Sequence, residues 1–316
     1  MKRKLVFLYS GQGSQYYQMG RKIFENDIGY RAEMLRLDEI IKEIFGYSVL
    51  DELFQDGKKK TDVFDELKYT HPAIFMSQVA VTKALMGRGI EPDYFMGSSL
   101  GEIVAVSMAT GNIDEIFINI VSQVQNFECC KNGGMMAVFD KVENYDAAPE
   151  IYENSIISAV NYDSMYVISG KNEGLLKVEE YFKKKQVIYQ RLPVNYAFHS
   201  QYVDAARENI LCQENLFQLN PIKIPVISCC MEEPILREIE KGYFWNIIRN
   251  PIQFMRSIQW VAKQDEEYLF ADLSLTGSQA NYIRRIVKDA KMETYSPFTL
   301  FQCCNDLDKV ADWIKN

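Results

Sequence analysis

A serine between two glycines has the spacing of a catalytic nucleophile. The segment Gly97-Ser98-Ser99-Leu100-Gly101 has the form G-x-S-x-G. A short apolar run precedes it and a helical pattern follows it, so Ser99 falls on a strand-to-helix turn. Small neighbours tolerate the sharp backbone of such a turn, and the helix start stabilises negative charge. The pattern predicts Ser99 as an acyl-transfer nucleophile and the Leu100 N–H as an oxyanion donor. The alternative is that Ser99 only caps the helix.

A serine hydroxyl needs a partner that accepts its proton, and the chain has only two histidines. His199 lies in the segment Asn195–Ser200, where the chain leaves a second pattern of strands and helices. His71 precedes Pro72 at a predicted helix start, where capping or packing explains it. We therefore predict His199 as the general base. No acidic residue stands out as the group that orients His199, and a main-chain carbonyl could do so instead.

The elements around Ser99 alternate between strand and helix, in the manner of an α/β fold. The pattern predicts a buried strand over Leu5–Tyr9 and a helix that begins at Pro72 and ends at Gly87. It also predicts a short strand over Tyr94–Gly97 and a helix from Leu100. Strands near residues 225–228 and 268–271 would complete the larger domain.

The order of elements changes between about residues 135 and 194. The predicted strands cover residues 136–139, 156–160, 166–169 and 187–191, and the predicted helices cover residues 144–153 and 173–184. That order, βαββαβ, indicates a ferredoxin-like unit inserted into a larger α/β domain. We predict a large domain of residues 1–131 and 196–316 and a small domain of residues 132–195.

Composition excludes several classes of protein. The chain has 316 residues, of which 47% are hydrophobic, and its 43 acidic residues outnumber its 35 basic ones. This balance argues against a nucleic-acid-binding protein. No apolar run is long enough to span a membrane, and Leu5–Tyr9 is too short for a signal peptide. Seven cysteines and no signal peptide favour reduced thiols in the cytoplasm, and the cysteines and histidines lack the spacing of a metal site.

Five motifs in order resemble the malonyl-CoA:acyl-carrier-protein transacylase family, the acyltransferases of fatty-acid and polyketide synthases. They span the chain from Leu5 to about Ile286. The motifs are Gly11-Gln12-Gly13-Ser14-Gln15, Thr70-His71-Pro72-Ala73, Gly97–Glu102, Tyr196–Ser200 and Asn250-Pro251-Ile252-Gln253-Phe254.

The resemblance implies an α/β-hydrolase-like large domain with a ferredoxin-like insert, and a mechanism through an acyl-serine. It implies that Ser99 is the nucleophile, that His199 is the base, and that the Gln12 N–H joins that of Leu100 in the oxyanion hole. It also implies that the carbonyl of Ile247 holds the histidine. The implied partner is an acyl carrier protein, and the substrates are phosphopantetheine or CoA thioesters with no further cofactor.

Three departures from the family pattern fall at substrate-binding positions. Ser98 and His71 stand where the family usually has histidine and glutamine. The arginine that grips the malonyl carboxylate in the family is replaced by Gln125 in our alignment, or by Gln123 if the alignment slides by two. Glutamine cannot neutralise a carboxylate, so we expect malonyl to be a poor substrate and uncharged acyl groups to be tolerated. Alternatively, an arginine at position 249, 284 or 285 supplies the charge.

The preferred hypothesis is an acyl hydrolase with a proofreading role, or a non-malonyl acyltransferase, that acts on carrier-bound acyl groups in polyketide biosynthesis. A malonyltransferase with a relocated cation and a catalytically idle partner of a synthase are the alternatives. A lipase-like esterase would also contain G-x-S-x-G, but the first-strand glycine motif and the inserted unit argue against it.

Overall fold

The computed structural model describes residues 3–130, 132–216, 218–231, 235–236, 238–299 and 304–316, in a large and a small α/β unit. The first part of the large unit contains β1 (Lys4–Tyr9), α1 (Arg21–Asn26), α2 (Ile28–Phe45), α3 (Val49–Leu53), α4 (Leu67–Met86), β2 (Tyr94–Gly97), α5 (Leu100–Thr110), α6 (Ile113–Gln123) and a 3₁₀ helix (Val124–Cys130).

The small unit contains β3 (Gly133–Phe139), α7 (Glu143–Asp146), α8 (Pro149–Tyr152), β4 (Ile156–Tyr162), β5 (Met165–Lys171), α9 (Asn172–Lys185) and β6 (Ile188–Arg191). The chain then returns to the large unit through a 3₁₀ helix (Gln201–Ala206), α10 (Arg207–Glu214), β7 (Val226–Ile227), β8 (Ile235–Leu236), α11 (Tyr243–Arg249), α12 (Phe254–Val261), β9 (Tyr268–Asp272), α13 (Ser278–Ile286), β10 (Met292–Tyr295) and α14 (Leu307–Lys315).

In the sheet of the large unit, the end of the first strand lies beside the Ser99 turn. Its strand order is β10-β9-β1-β2-β7-β8, and all neighbours are parallel except β7 and β8. Tyr9 at the end of β1 is in register with Gly97 at the end of β2. Loops that follow adjacent parallel strands meet at their carboxyl ends, where ligands bind in open α/β sheets. The loop after β1 therefore lies against the turn that carries Ser99.

Helix α4 starts one turn earlier than the sequence predicts. It begins at Leu67, and Pro72 lies inside it rather than at its first position. Proline removes one helical N–H and leaves the carbonyl four residues earlier without its usual partner. The hydroxyl of Tyr47 donates a hydrogen bond of 3.0 Å to that carbonyl, on Lys68. A tertiary contact thus stabilises a turn that local propensity would have ended.

The small unit has the predicted βαββαβ order, with one difference. Its antiparallel sheet has the order β4-β5-β3-β6. The predicted helix at 144–153 is two short helices, α7 and α8, because Pro149 begins a new helix. One face of the sheet and α9 enclose a separate apolar core, with Met136, Ile168 and Phe182 fully buried. The sequence analysis did not predict β10.

No helix in the described part of the chain is both long and apolar enough to cross a bilayer.

Candidate active site

The turn that carries Ser99 is strained and depends on glycine at three places. Ser99 has φ 57° and ψ −127°, a conformation that side chains seldom adopt. A methyl group at Gly97 would clash with the Gly101 carbonyl, and one at Gly101 would clash with the Tyr9 carbonyl. A methyl group at Gly11 would lie 2.7 Å from the Ser98 oxygen. These close approaches explain the small residues on both sides of the serine.

The structure brings Ser99 and His199 together. The Ser99 Oγ lies 2.8 Å from the His199 Nε2. The His199 Nδ1 lies 3.0 Å from the Asn250 carbonyl oxygen. A carbonyl can only accept, so in the neutral ring the proton is on Nδ1 and Nε2 is free to accept from Ser99. This is the tautomer that a general base requires.

Helix α11 holds His199 through main-chain oxygens. Besides the Asn250 contact, the Ile248 carbonyl accepts a hydrogen bond of 2.9 Å from the His199 backbone N–H. The Ile247 carbonyl, which we predicted as the acceptor, also raises the pKa of His199, but by less than the Asn250 carbonyl does. The principal acceptor is therefore three residues beyond the one that the resemblance implied. The signal in the sequence was Asn250-Pro251: a residue before proline leaves the helix, and its carbonyl is free.

Burial keeps His199 neutral. Desolvation lowers the pKa of His199 to about 4, and the carbonyls of Asn250 and Ile247 offset only part of this effect. The residue is 2% exposed. At neutral pH the imidazole is therefore unprotonated and able to accept a proton.

Gln12 and Leu100 both line a cavity beside Ser99. Neither backbone N–H has an acceptor among the residues that the structure describes. The Gln12 side chain is held by a hydrogen bond of 2.8 Å from its Nε2 to the Thr70 Oγ1. The two amides are thus not engaged by the described protein, and their predicted role in an oxyanion hole stays a prediction.

An inner cavity of about 30 Å³ opens from Ser99 toward α6. Phe127, Phe198 and several aliphatic residues line it. His71 also lines it, and its ring stacks on Phe198 with ring centroids 6.0 Å apart. Desolvation lowers the pKa of His71 to about 3, so this ring is neutral as well. The inner cavity is small and uncharged.

The glutamine in the inner cavity is Gln123 and not Gln125. Gln123 is 3% exposed, lines the cavity, and donates a hydrogen bond of 2.6 Å to the Asn119 Oδ1. Gln125 is exposed and lines a separate surface groove with Asp65 and Glu128. The structure does not place Gln125 at the inner cavity, where we predicted it, because α6 ends at Gln123 and Gln125 lies on an exposed side of the following 3₁₀ helix. Of the two candidate glutamines, Gln123 is the one that lines the cavity.

The arginines considered as replacements lie elsewhere. The side chain of Arg249 pairs with Asp204 at 2.5 Å. Arg284 donates to Thr294 and Asn281, and Arg285 is exposed. Within the described ranges, the lining of the inner cavity includes no lysine or arginine.

An outer cleft of about 370 Å³ lies between the two units and also reaches Ser99. Its small-unit wall is mostly apolar and includes Met135, Val167 and Leu192. Its large-unit wall is polar and includes Ser98, whose Oγ accepts a hydrogen bond of 2.7 Å from the Gln279 Nε2. Gln279 carried no signal in the sequence. The described lining of this cleft contains no ionisable side chain apart from His199 and tyrosine.

A buried carboxyl group connects the helix after the nucleophile to the helix that holds the base. Glu102 of α5 accepts hydrogen bonds from the Ser228 Oγ and the Tyr243 Oη, both at 2.5 Å, and from the Cys229 N–H at 3.1 Å. Burial raises the pKa of Glu102. Tyr243 begins α11, so this network fixes α11 relative to the Ser99 turn.

This arrangement of fold and site is that of an acyltransferase. The sequence profile of the acyl transferase domain family matches residues 6–297, and the chain belongs to this family. The predicted resemblance is therefore confirmed.

The relatives and related structures are consistent with that assignment. The chain is 38% identical to the polyketide biosynthesis acyltransferase homolog BaeD of Bacillus velezensis over 298 residues, which cover 93% of this chain and 90% of that protein. It is 33% identical to the homolog PksD of Bacillus subtilis, with 100% and 95% covered. The malonyl CoA-acyl carrier protein transacylase of Coxiella burnetii shares the fold, with a TM-score of 0.82, 19% identity, and 100% and 98% covered.

Proposed function

We propose that this chain is a serine acyl-enzyme that takes uncharged acyl groups from phosphopantetheine thioesters of an acyl carrier protein in polyketide biosynthesis. The observation that carries the proposal is the 2.8 Å contact between Ser99 and His199 at the mouth of an uncharged cavity. The two relatives named as polyketide biosynthesis acyltransferase homologs support the pathway.

Acylation follows from the positions of four groups. The Ser99 Oγ attacks the thioester carbonyl carbon while the His199 Nε2 takes the hydroxyl proton. The amides of Gln12 and Leu100 stabilise the oxyanion. The C–S bond then breaks, and His199 returns the proton to the leaving sulfur. These steps move protons and one acyl group, so they require no cofactor.

The uncharged cavity favours neutral acyl groups. A malonyl carboxylate beside Gln123 would be buried without a cation, and an unpaired buried charge costs on the order of several kcal/mol. A short neutral acyl group loses no such solvation, and a cavity of only about 30 Å³ favours a short chain. The released acyl group is then hydrolysed, as in a proofreading enzyme, or passed to another thiol.

The outer cleft suits the arm of a carrier protein. We interpret the large unit, residues 1–131 and 196–316, as α/β-hydrolase-like and residues 132–195 as a ferredoxin-like insert. The cleft between them leads to Ser99, and its volume of about 370 Å³ suits a slender pantetheine chain. Its lack of charged side chains matches the amides and methylene groups of that chain.

Intact mass spectrometry tests the proposal. The protein is incubated with acetyl-loaded carrier protein, butyryl-loaded carrier protein or malonyl-CoA, and the acyl adduct is measured over time. We expect acetyl and butyryl adducts on the wild type, little malonyl adduct, and none on Ser99→Ala. An adduct that persists on Ser99→Ala would refute the nucleophile, and rapid malonyl labelling would support a malonyltransferase instead.

A further inference from the structure

The large-unit wall of the outer cleft contains three buried polar atoms without a partner. They are the Oγ of Ser10, the Oε1 of Gln12 and the Oε1 of Gln279, and none has a hydrogen-bond partner among the described residues. Ser10 is 4% exposed and Gln279 is 2% exposed. Buried polar groups are nearly always hydrogen-bonded to protein or to ordered water. Three such atoms in one cleft wall therefore indicate a bound hydrogen-bonding ligand.

The orientation of the Gln279 amide is unambiguous. Its Nε2 donates to the Tyr9 carbonyl at 2.8 Å and to the Ser98 Oγ at 2.7 Å. Since the Tyr9 carbonyl can only accept, the nitrogen must be on that side and Oε1 on the other. Both amide protons are used, so the unpartnered oxygen is fixed in place.

Ser10 follows Tyr9, whose carbonyl oxygen links Gln279 to Ser98. The Tyr9 carbonyl also accepts from the Ser98 N–H at 3.1 Å. The Ser10 backbone is held by Gln78, which accepts from its N–H at 2.7 Å and donates to its carbonyl at 3.0 Å. Because Ser98 Oγ accepts from Gln279, its own proton remains available for donation. The three side chains thus offer donors and acceptors directly beside the Ser99 turn.

We propose that Ser10, Ser98 and Gln279 hold a water molecule on the outer-cleft side of Ser99 and that this water hydrolyses the acyl-serine. The proposal rests on the acyl-enzyme proposed above and identifies what attacks it. Water has the two donors and two acceptors that such a polar wall can satisfy. The acyl chain occupies the inner cavity, so attack comes from the outer cleft, which His199 also lines.

The step is a balanced hydrolysis. The water oxygen forms a bond to the acyl carbon, and the His199 Nε2 takes one water proton. The tetrahedral intermediate collapses with cleavage of the bond to Ser99 Oγ, and His199 returns the proton to that oxygen. The products are the free carboxylic acid and the original hydroxyl group. Ser10, Ser98 and Gln279 act as positioning residues and do not transfer the proton.

Separate measurement of acylation and deacylation tests this proposal. Wild type, Ser10→Ala and Gln279→Leu are acylated with acetyl-pantetheine and desalted. Loss of the adduct is then followed by intact mass in buffer alone and with added pantetheine. We expect both variants to lose the adduct about tenfold more slowly in buffer, a larger change than any in their rate of acylation. The rate of transfer to pantetheine should change less than about twofold, because the pantetheine thiol is itself the nucleophile and does not need the bound water.

Ser107→Ala is the matched control. Ser107 is a fully buried serine on the helix after the nucleophile, and its hydroxyl is bonded to the Val104 carbonyl. Its substitution should leave the ratio of hydrolysis to transfer unchanged. Melting temperatures add a second measurement: removal of a hydroxyl that binds nothing is neutral or stabilising, whereas removal of one that holds water is destabilising. We expect a lower melting temperature for Ser10→Ala.

The possible failures can be distinguished. If the wild type forms no adduct, the acyl-enzyme itself is refuted. If it forms an adduct that is stable in buffer, or if the variants slow hydrolysis and transfer equally, only the water site is refuted.

Discussion

The two cavities that meet at Ser99 differ in size and in the elements that form them. The inner cavity encloses about 30 Å³ within the large unit, and the outer cleft encloses about 370 Å³ between the units. The inner cavity has mostly apolar walls, whereas the cleft has one polar and one apolar wall. Under the proposed function, the difference separates two decisions: the inner cavity selects the acyl group, and the cleft selects the nucleophile that removes it. Variants that alter one cavity should therefore leave the other decision intact.

We expect the largest loss of acylation from a change in the Ser99 turn, because both cavities meet there. In Gly101→Ala the added methyl group would clash with the Tyr9 carbonyl. We expect acyl-Ser99 formation to fall by at least about 10³-fold, or folding to fail, because no flexible side chain can move aside. Gly29→Ala is the control, since its methyl group would lie at an ordinary 3.4 Å from the nearest atom. Normal acylation of Gly101→Ala would show that the turn is less constrained than described.

A charge in the inner cavity should reverse the acyl preference. Gln123→Arg introduces a guanidinium that can pair with a carboxylate, so the ratio of malonyl to acetyl adduct should rise by about tenfold or more. Gln125→Arg is the matched control on the exposed side of the same segment and should leave the ratio unchanged. Intact mass after incubation with each thioester measures both variants. A larger effect at position 125 would indicate that residue 125, rather than residue 123, contacts the malonyl carboxylate.

The burial of His199 should appear in the pH profile. An ordinary histidine, with a pKa near 6.5, is about 3% neutral at pH 5, whereas one with a pKa of about 4 is about 90% neutral. Acylation should therefore persist at pH 5, roughly 30-fold faster than an unshifted histidine allows, and fall near pH 4. The rate of acetyl adduct formation from pH 3.5 to 7 checks this. A pH profile with its midpoint near 6.5 would mean that water reaches the His199 ring.

The lowered pKa of His199 should also make the free energy of unfolding depend on pH. The unfolded chain binds a proton at His199 below about pH 6.5, but the folded protein does so only below about pH 4. The free energy of unfolding should therefore decrease as the pH falls through this window. Urea titrations of wild type and His199→Gln at pH 7 and pH 5 measure it, and the variant should lose less stability between the two values.

We expect the smallest effect from a variant that enlarges the inner cavity. Phe127→Leu shortens a lining side chain, so the ratio of butyryl to acetyl adduct should rise a few-fold. Phe139→Leu alters the outer cleft instead and should change the KM for loaded carrier protein without changing that ratio. Equal effects of both variants on the ratio would contradict the division of roles between the cavities.

Local patterns predicted the parts of the site that are contiguous in the chain. The sequence signal for the Ser99 turn lies in five consecutive residues, and the strand and helix that flank it are encoded in the same short segment. The position of Gln123 could not be fixed in this way, because it depends on where α6 ends and the 3₁₀ helix begins. Gln279 lies 181 residues from Ser98 along the chain, and no local pattern connects them.

Long-range contacts also explain the missed features of the fold. Helix α4 extends past Pro72 because Tyr47 satisfies a carbonyl that the proline leaves free. The Asn250 carbonyl, rather than that of Ile247, holds His199, because the chain straightens before Pro251. In both cases a backbone oxygen finds a partner from a distant segment, which side-chain periodicity does not encode.

The anchoring of His199 by peptide oxygens has an evolutionary consequence. In sites where an aspartate steadies the imidazole, a single codon change can remove that support. Here the supporting atom is present whatever amino acid is encoded at position 250. Substitutions can therefore accumulate there while the base keeps its tautomer, provided that the helix still ends before the proline.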